Sequence, residues 1–327
     1  MSVNWGILST AHINRLFLAG AREAENTTLL AVASRDQPRA DAYARDNGIE
    51  RAYGSYEAML ADPDVEAVYI SLPNSLHIPW TITALEAGKH VLCEKPLSRH
   101  PEEVERAFDV AEKQQRFLME AFMYRHNPQT RRLSELVAHH AVGRVRIIRA
   151  VFGFVAPDPE NVRLQATLDG GALMDVGCYC VSGARLIAGE PERVAGEQAL
   201  GGRDDGVDVA FAGLMRFAND ITAHFDAGLA LASQDLLEVV GDEGTIRLTD
   251  PWHCRNPGID LIRSDGTIER IEVERADSYR LEAENMSAAI RGEAKLLLDR
   301  DDAVNQARAI EALYRAADEG RVVSLCS

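Results

Sequence analysis

The apolar positions of the first 122 residues fall into short runs that alternate with stretches of helical periodicity. Several of these runs are apolar throughout, as strands of a parallel sheet are when helices cover both of its faces. Proline or glycine marks four helix ends, at Pro38, Gly48, Gly88 and Pro101. The predicted strands are Val3–Leu8, Thr28–Ala33, Ala67–Ser71, His90–Cys93 and Phe117–Glu120. This alternation predicts a doubly wound α/β domain with a parallel sheet.

Beyond Pro128 the pattern changes to strands separated by Gly, Asn and Asp turns, which are typical of hairpins. The predicted strands are Arg144–Phe154, Val207–Phe217, Asp220–Leu231, Leu236–Val240, Thr245–Leu248, Gly258–Arg263 and Thr267–Val273. The predicted helices are Gln129–His139, Gly170–Ile187, Ser278–Arg291 and Asp301–Ala317. We therefore expect an α+β domain with a mostly antiparallel, open-faced sheet. The expected domains are residues 1–123 and 124–327, with a C-terminal helix that packs back on the first domain.

Composition narrows the class of protein. The 327 residues carry a net charge of −16, which repels phosphate backbones and anionic lipid. No apolar run is long enough to span a membrane, and residues 1–8 lack the features of a signal peptide. The histidines form no H-E-x-x-H motif, and five scattered cysteines form no zinc site: Cys93, Cys178, Cys180, Cys254 and Cys326. We expect no nucleic-acid or membrane partner, no metal, and thiols in a reducing cytoplasm.

The segment after the first strand is a candidate dinucleotide site. The glycines of the G-x-G-x-x-G fingerprint would fall on Ser9, Ala11 and Asn14, none of which is glycine. Ser and Ala are small enough for backbone N–H groups to approach a pyrophosphate, and a helix from Ala11 would present its N-terminus to that charge. The alternative is a plain strand-to-helix turn capped by Ser9 or Thr10.

The end of the second strand favours one cofactor over another. An NAD site places Asp or Glu there to hold the ribose 2′-hydroxyl, whereas this chain has Ser34 and Arg35, with Arg39 one turn on. A hydroxyl and guanidinium groups suit the 2′-phosphate of NADP. Arg35 could instead be a solvated surface residue, and Asp36 could cap a helix or neutralise Arg35. The pattern predicts NADP, with NAD less favoured.

Five motifs then carry a resemblance to a known family. They are Trp5–Ala11, the P-N-S-L-H run of Pro73–His77, the Ala87–Pro96 segment that ends in E-K-P, Met119–Pro128, and Gly170–Tyr179, which ends in D-x-G-x-Y. In this order they resemble the Gfo/Idh/MocA oxidoreductases over nearly the whole chain. Ser34-Arg35-Asp36, Tyr53–Tyr56 and Tyr rather than His at 179 are similar to the branch of dimeric dihydrodiol dehydrogenases and NADP-dependent D-xylose 1-dehydrogenases.

The resemblance implies a catalytic set of Lys95, Asp175 and Tyr179. Oxidising an alcohol by hydride transfer requires a base for the hydroxyl proton. Tyrosine, with an ordinary pKa of about 10, is a poor base at neutral pH unless a nearby ammonium stabilises the phenolate. The family pairs Lys95 with Tyr179 in this way and suggests a cis bond before Pro96. Asp175 lies four residues before Tyr179, on the same helix face, where it would hold a substrate hydroxyl and balance Lys95.

The expected binding residues come from these motifs, from the end of the second strand and from neighbouring loops. For the cofactor they are Ser9, Thr10, Ala11, His12, Ile13, Ser34, Arg35, Arg39, Leu72, Pro73, Asn74, His77, Glu94, Lys95 and Pro96. For the substrate they are Lys95, Tyr124, Arg125, Arg163, Asp175 and Tyr179, with the loop 158–168 closing one side. Two roles stay open, because His77 could instead cap the next helix and Arg125 could instead tie the domains together.

These inferences predict an NADP-dependent oxidoreductase acting on a small polyhydroxylated compound, with an aldopyranose oxidised at C1 as the leading substrate. Oxidation of a trans-dihydrodiol or reduction of a dicarbonyl is the alternative, which an apolar wall around Phe152, Phe154 and Tyr179 would favour. A cofactor-sensing regulator without activity would lack the lysine or the tyrosine, and here both are present. By resemblance we expect a homodimer, with a tetramer as the alternative, formed through the open face of the sheet.

Overall fold

The computed structural model describes residues 1–156, 158, 160–201 and 206–325. Cys326 and Pro159, the latter within the predicted loop 158–168, lie outside the described residues. The chain divides into two compact units. The first comprises residues 1–123 and 277–304, and the second comprises residues 124–276 and 305–327. Residues 277–304, which the sequence-based boundary assigns to the second domain, thus cluster with the first.

The first unit is built on a six-stranded parallel sheet with the strand order β3-β2-β1-β4-β5-β6. Its strands are β1 Val3–Leu8, β2 Thr27–Ala33, β3 Arg51–Tyr53, β4 Ala67–Ile70, β5 His90–Glu94 and β6 Leu118–Ala121. Its helices are α1 Asn14–Glu23, α2 Gln37–Asp46, α3 Tyr56–Leu60, α4 His77–Glu86, α5 Pro101–Gln114 and α8 Ser278–Ile290. The strand order reverses between β1 and β4, and ligands of such sheets bind at the carboxyl ends of strands on either side of that point.

Helix α8 belongs to this unit because it packs closely on α1. A side chain at Gly20 of α1 would place its Cβ 2.5 Å from the backbone nitrogen of Arg280, so glycine lets the two helices approach. The indole of Trp5 in β1 donates to Ser287 Oγ at 3.1 Å, which ties α8 to the sheet. The penultimate helix of the chain therefore completes the cover of one face of the parallel sheet.

The second unit contains a nine-stranded sheet with the order β14-β13-β12-β11-β7-β10-β9-β8-β15. Its strands are β7 Val145–Val155, β8 Pro191–Gly201, β9 Val207–Phe217, β10 Thr222–Gly228, β11 Ala230–Gly241, β12 Gly244–Leu248, β13 Ile259–Arg263, β14 Ile268–Ile271 and β15 Val323–Ser324. Helices α6 Pro128–Ala138 and α7 Cys178–Ala188 belong to it, and α9 Arg300–Glu319 begins in the first unit and ends in this one. Neighbouring strands pair antiparallel except β7 and β10, which are parallel. The predicted fold class, a doubly wound parallel sheet with a mostly antiparallel second sheet, is confirmed.

Several local predictions were wrong. The segment Asp220–Leu231 is not one strand, because β10 and β11 lie on opposite sides of β7 and the chain passes the end of β7 at Leu229. Strands β3 and β8 and helix α3 were missed. Helix α1 begins at Asn14 rather than Ala11, because the intervening residues form a tighter turn in which the Asn14 N–H donates to the Ala11 carbonyl.

Candidate active site

The loop after β1 is held by polar side chains at the positions where a dinucleotide fingerprint has glycine. Ser9 is buried and has a φ of 126°, a conformation that usually requires glycine. Its hydroxyl accepts the N–H of Ala11 at 3.1 Å and lies 2.8 Å from Ser71 Oγ, at the end of β4. A pair of hydroxyl groups therefore joins the ends of β1 and β4, the two strands between which the strand order reverses.

Asn14 completes this arrangement at the third fingerprint position. Its side chain is fully buried, donates to the Ser9 carbonyl at 2.9 Å and accepts from Ser71 Oγ at 2.5 Å. In the fingerprint, Asn14 stands out only because it is not glycine. The sequence does not show that its side-chain amide holds the loop in place. The strand-to-helix turn is thus fixed by three side chains beneath the backbone that would meet a pyrophosphate.

Two arginines, Arg35 and Arg39, follow the end of β2. Asp36 caps α2 by accepting the Arg39 N–H at 3.0 Å, which is one of the two roles considered for this residue. The guanidinium of Arg39 donates to Thr10 Oγ1 at 2.7 Å, so the loop after β1 and the start of α2 are adjacent. Burial raises the pKa of Tyr56, and the nearby charges of Arg35 and Arg39 offset only part of that rise. Ser34 is buried beside these exposed arginines. This donor set fits a phosphate ester.

The segment Glu94-Lys95-Pro96 forms the end of β5 and the start of the next loop, and hydrogen bonds hold the backbone on both sides of it. The Lys95–Pro96 peptide bond is cis, as the resemblance suggested. The Glu94 carboxylate accepts the Tyr69 hydroxyl and, at 3.3 Å, the backbone N–H of Lys95. The following Leu97 N–H donates to the buried Glu120 carboxylate at 2.8 Å. Lys95 is half-buried and therefore extends from a fixed piece of backbone.

His77 braces two loops of the first unit. Its ring is 1% exposed, with Nδ1 2.9 Å from the Pro96 carbonyl and Nε2 2.8 Å from the Leu72 carbonyl. It is also the first residue of α4, and Asn74 begins the short 3₁₀ turn that precedes it. The imidazole thus connects the loop after β4 to the loop that carries Lys95. Direct contact between His77 and a cofactor stays a prediction.

Asp175 and Tyr179 lie on one helical segment of the second unit. Residues Leu173–Gly177 form a π-helical turn that continues into α7, and such turns are frequent at functional sites. Arg163 Nε lies 2.7 Å from Asp175 Oδ2, in a half-exposed ion pair. Arg163 was predicted as a substrate residue and Asp175 as the partner of Lys95. Within its own unit, Asp175 is neutralised by Arg163.

Asp208 fixes the start of this segment. Its carboxylate is 3% exposed and accepts the Leu173 N–H at 2.6 Å and the Tyr314 hydroxyl at 2.9 Å. Gly171 has a φ of +123°, and a Cβ there would lie 2.1 Å from Asp208 Oδ1. Glycine is therefore needed to bring the carboxylate against the helix N-terminus, where a negative charge is also favoured by the helix dipole. The sequence analysis did not identify Asp208.

Aromatic rings surround Tyr179, whose side chain is largely buried. The rings of Tyr124, Phe152 and Trp252 lie 5.7, 5.3 and 6.0 Å from it, measured between centroids. The Tyr124 hydroxyl lies 2.8 Å from Ser182 Oγ, to which Arg125 also donates at 3.5 Å. Tyr124 and Arg125 therefore contact α7. Their contact with a substrate stays a prediction.

Lys95 lies in the first unit and Tyr179 in the second, so their pairing also stays a prediction. Among the described residues, one group of three has ligand-type atoms within 4.8 Å of one another, namely Asp235, Asp250 and His253. In this group Asp250 already accepts two backbone N–H groups, at 2.7 and 2.8 Å. The expectation that the protein uses no metal remains a prediction.

Sequence comparison bears on what this arrangement is for. The profile described as "Oxidoreductase family, NAD-binding Rossmann fold" matches residues 3–122, and that of the "GFO/IDH/MocA C-terminal domain" matches residues 130–247. The chain belongs to the Gfo/Idh/MocA oxidoreductase family. The resemblance inferred from the motifs is thereby confirmed.

Individual family members resemble the chain over most or all of its length. A D-xylose 1-dehydrogenase (NADP(+)) of Haloferax volcanii is 38% identical over 98% of this chain and 99% of its own. A trans-1,2-dihydrobenzene-1,2-diol dehydrogenase of Danio rerio is 34% identical over 78% of this chain and 76% of its own. The crystal structure of an aldose-aldose oxidoreductase from Caulobacter crescentus, complexed with glycerol, superposes with a TM-score of 0.92. It is 29% identical and covers 99% of this chain and 100% of its own.

Proposed function

We propose that this protein is an NADP-dependent oxidoreductase that oxidises an aldopyranose such as D-xylose at C1. The observation that carries the proposal is the full-length similarity to an NADP-dependent D-xylose 1-dehydrogenase, together with the presence of Lys95, Asp175 and Tyr179 in this chain. When bound, NADP supplies the nicotinamide that accepts the hydride. The residues of the protein then bind and orient the sugar and take its hydroxyl proton.

The cofactor assignment is supported by the first unit. The fastened loop of Ser9 and Asn14 offers backbone N–H groups at a helix N-terminus, which suits a pyrophosphate. Arg35 and Arg39 beside the buried Ser34 suit a 2′-phosphate, which NAD lacks. The other predicted cofactor residues lie at or just beyond the carboxyl ends of β1, β4 and β5, with His77 at the start of α4.

The proposed roles of the catalytic residues follow from their chemistry. Tyr179 accepts the proton of the reacting hydroxyl, and the Lys95 ammonium stabilises the phenolate that this requires. Asp175 holds a second hydroxyl while its charge is balanced by Arg163. A polyol suits such a set because each hydroxyl needs a partner once water is excluded.

A second substrate class is supported by the aromatic surroundings of Tyr179. Tyr124, Phe152 and Trp252 pack around the Tyr179 ring, and such apolar surroundings would suit a trans-dihydrodiol, the substrate in the name of the Danio rerio relative. Initial rates of nicotinamide reduction, with NADP and NAD in parallel, separate the two classes across aldoses, inositols and a trans-dihydrodiol. Fast turnover of an aldose with NADP supports the proposal, and turnover of the dihydrodiol alone would replace it.

The homodimer, or tetramer, is part of the same proposal. One face of the nine-stranded sheet packs against α7 and the π-helical turn, and the other carries Leu214, 48% exposed, and the ion pairs of Glu238 with Arg149 and Arg247. Burial raises the pKa of Glu238, and the hydrogen bonds from these arginines outweigh that effect and lower it. Light scattering at about 36 kDa, the mass of one chain, would contradict the dimer.

No helix in the described part of the chain is long and apolar enough to cross a membrane. A cytoplasmic location remains part of the proposal. It is supported by Cys93, Cys178, Cys180 and Cys254, which are buried thiols of the kind found in reducing compartments. Periplasmic or secreted recovery of the native protein would contradict it.

A further inference from the structure

His253 shares an aromatic neighbour with Tyr179. The Phe152 ring meets Tyr179 edge-on at 5.3 Å and His253 edge-on at 5.4 Å between centroids. The centroids of the Tyr179 and His253 rings therefore lie no farther apart than the sum of these two distances. A six-membered sugar ring with a hydrogen bond at either end spans roughly the same length. This separation permits one small polyol to contact both rings.

The imidazole of His253 is oriented by an acidic residue. Nδ1 lies 3.3 Å from Asp235 Oδ2, whereas Nε2 makes no hydrogen bond within the described residues. The His253 side chain is 29% exposed, so it remains accessible. In the tautomer in which Nδ1–H donates to Asp235, Nε2 is an acceptor for a hydroxyl group.

The loop that carries His253 is fixed by its neighbours. The indole of Trp252 is fully buried and donates to the Val151 carbonyl at 2.9 Å. Asp250 accepts the N–H groups of Arg255 and Asn256, and its carbonyl accepts from Gln129 at 2.9 Å. A side chain held on such a rigid loop can bind a ligand without first being ordered.

We propose that His253, oriented by Asp235, is a specificity-determining residue that accepts a hydrogen bond from a substrate hydroxyl remote from the reacting carbon. The inference rests on the proposed function, because it takes Tyr179 as the group at the reacting carbon. It predicts that polyols are preferred over substrates that carry hydroxyls only at the reacting end. The aromatic rings around Tyr179 thus suit the apolar part of an amphipathic substrate, and His253 binds the hydroxyl at the substrate's polar end.

The test is a cycle that combines variants with deoxy sugars. kcat/KM is measured for D-xylose and its 2-, 3- and 4-deoxy analogues with the wild type, His253→Phe and His253→Gln. In the wild type, one analogue should be about tenfold worse than xylose, because it leaves the imidazole acceptor unpaired. In His253→Phe the same analogue should lose less than about twofold relative to xylose. His253→Gln, which retains an acceptor, should recover part of the discrimination.

His139→Phe is the matched control, because His139 is an exposed histidine at the end of α6. It should keep the wild-type pattern, and thermal unfolding of each variant checks that it folds. Equal losses in the wild type and His253→Phe for every analogue would overturn the inference alone. Failure of the wild type to oxidise any polyol would overturn the proposed function as well. Activity lost to a chelator and restored by a divalent cation would replace this role with a metal site at Asp235, Asp250 and His253.

Discussion

The carboxylate of Asp208 should control both the stability of the second unit and the geometry of its catalytic helix. It is buried and accepts two hydrogen bonds, from the Leu173 N–H at 2.6 Å and the Tyr314 hydroxyl at 2.9 Å. A hydrogen bond to a charged group contributes about 1.5–3 kcal/mol. Asp208→Ala should therefore lower the free energy of unfolding by about 3–5 kcal/mol. Tyr314→Phe removes one of these bonds and should cost about 1.5–3 kcal/mol.

Urea unfolding gives these free energies, and steady-state kinetics gives the consequence for the site. Asp208→Asn keeps the shape of the side chain but loses its charge at the helix N-terminus. It should lower kcat by at least about tenfold, because Asp175 lies in the turn that begins at Leu173 and small displacements of catalytic groups are costly. The NADP Kd should stay unchanged, since the predicted cofactor residues lie in the other unit. An Asp208→Ala protein within about 1 kcal/mol of the wild type would refute this reasoning.

Three further changes test other parts of the account. Tyr179→Phe should lower kcat by at least about a hundredfold and leave NADP binding, measured by fluorescence titration, intact; retained turnover would remove Tyr179 as the base. Arg35→Ala should weaken NADP binding by about tenfold or more and NAD binding hardly at all, whereas equal losses would contradict the phosphate role. Burial, and then the charge of Glu94, raise the pKa of Glu282 well above its ordinary value. As pH rises above about 4.3 the unfolded chain loses this proton while the native chain keeps it, so native stability falls. Glu282→Gln should therefore gain stability over the wild type as pH rises from 5 to 8 in thermal unfolding, and its neighbour on the helix, Glu284→Gln, should show no such trend.

The long, strongly patterned elements of the chain were predictable from sequence. The buried strands of the parallel sheet read as apolar runs because both of their faces are covered, and α5 is bounded by Pro101 as its pattern indicated. Strand β3 has only three residues, all half-exposed, and so offers no period to detect. Strand β8 begins at a proline, contains two glycines and has mostly partly exposed positions, so its pattern is weak.

Motifs in the sequence indicate candidate site residues, but they do not indicate the long-range contacts that hold those residues in place. Lys95, Asp175 and Tyr179 stand in recognisable local patterns, and the arginines after β2 follow from the chemistry of a phosphate. Asp208 lies 35 residues from the Leu173 N–H that it accepts. The ion pair of Arg163 with Asp175 likewise depends on how a loop folds. No motif spacing predicts these long-range contacts, because they form only when the chain folds.

The most direct test of the central claim follows the hydrogen itself. The wild-type protein is incubated with NADP and D-xylose deuterated at C1, and the reduced cofactor is isolated and examined by mass spectrometry and NMR. The account predicts that one deuterium is transferred to the nicotinamide ring for each sugar oxidised. Reduced cofactor without deuterium, or no reduced cofactor while NADP binds, would contradict hydride transfer from C1 of an aldose.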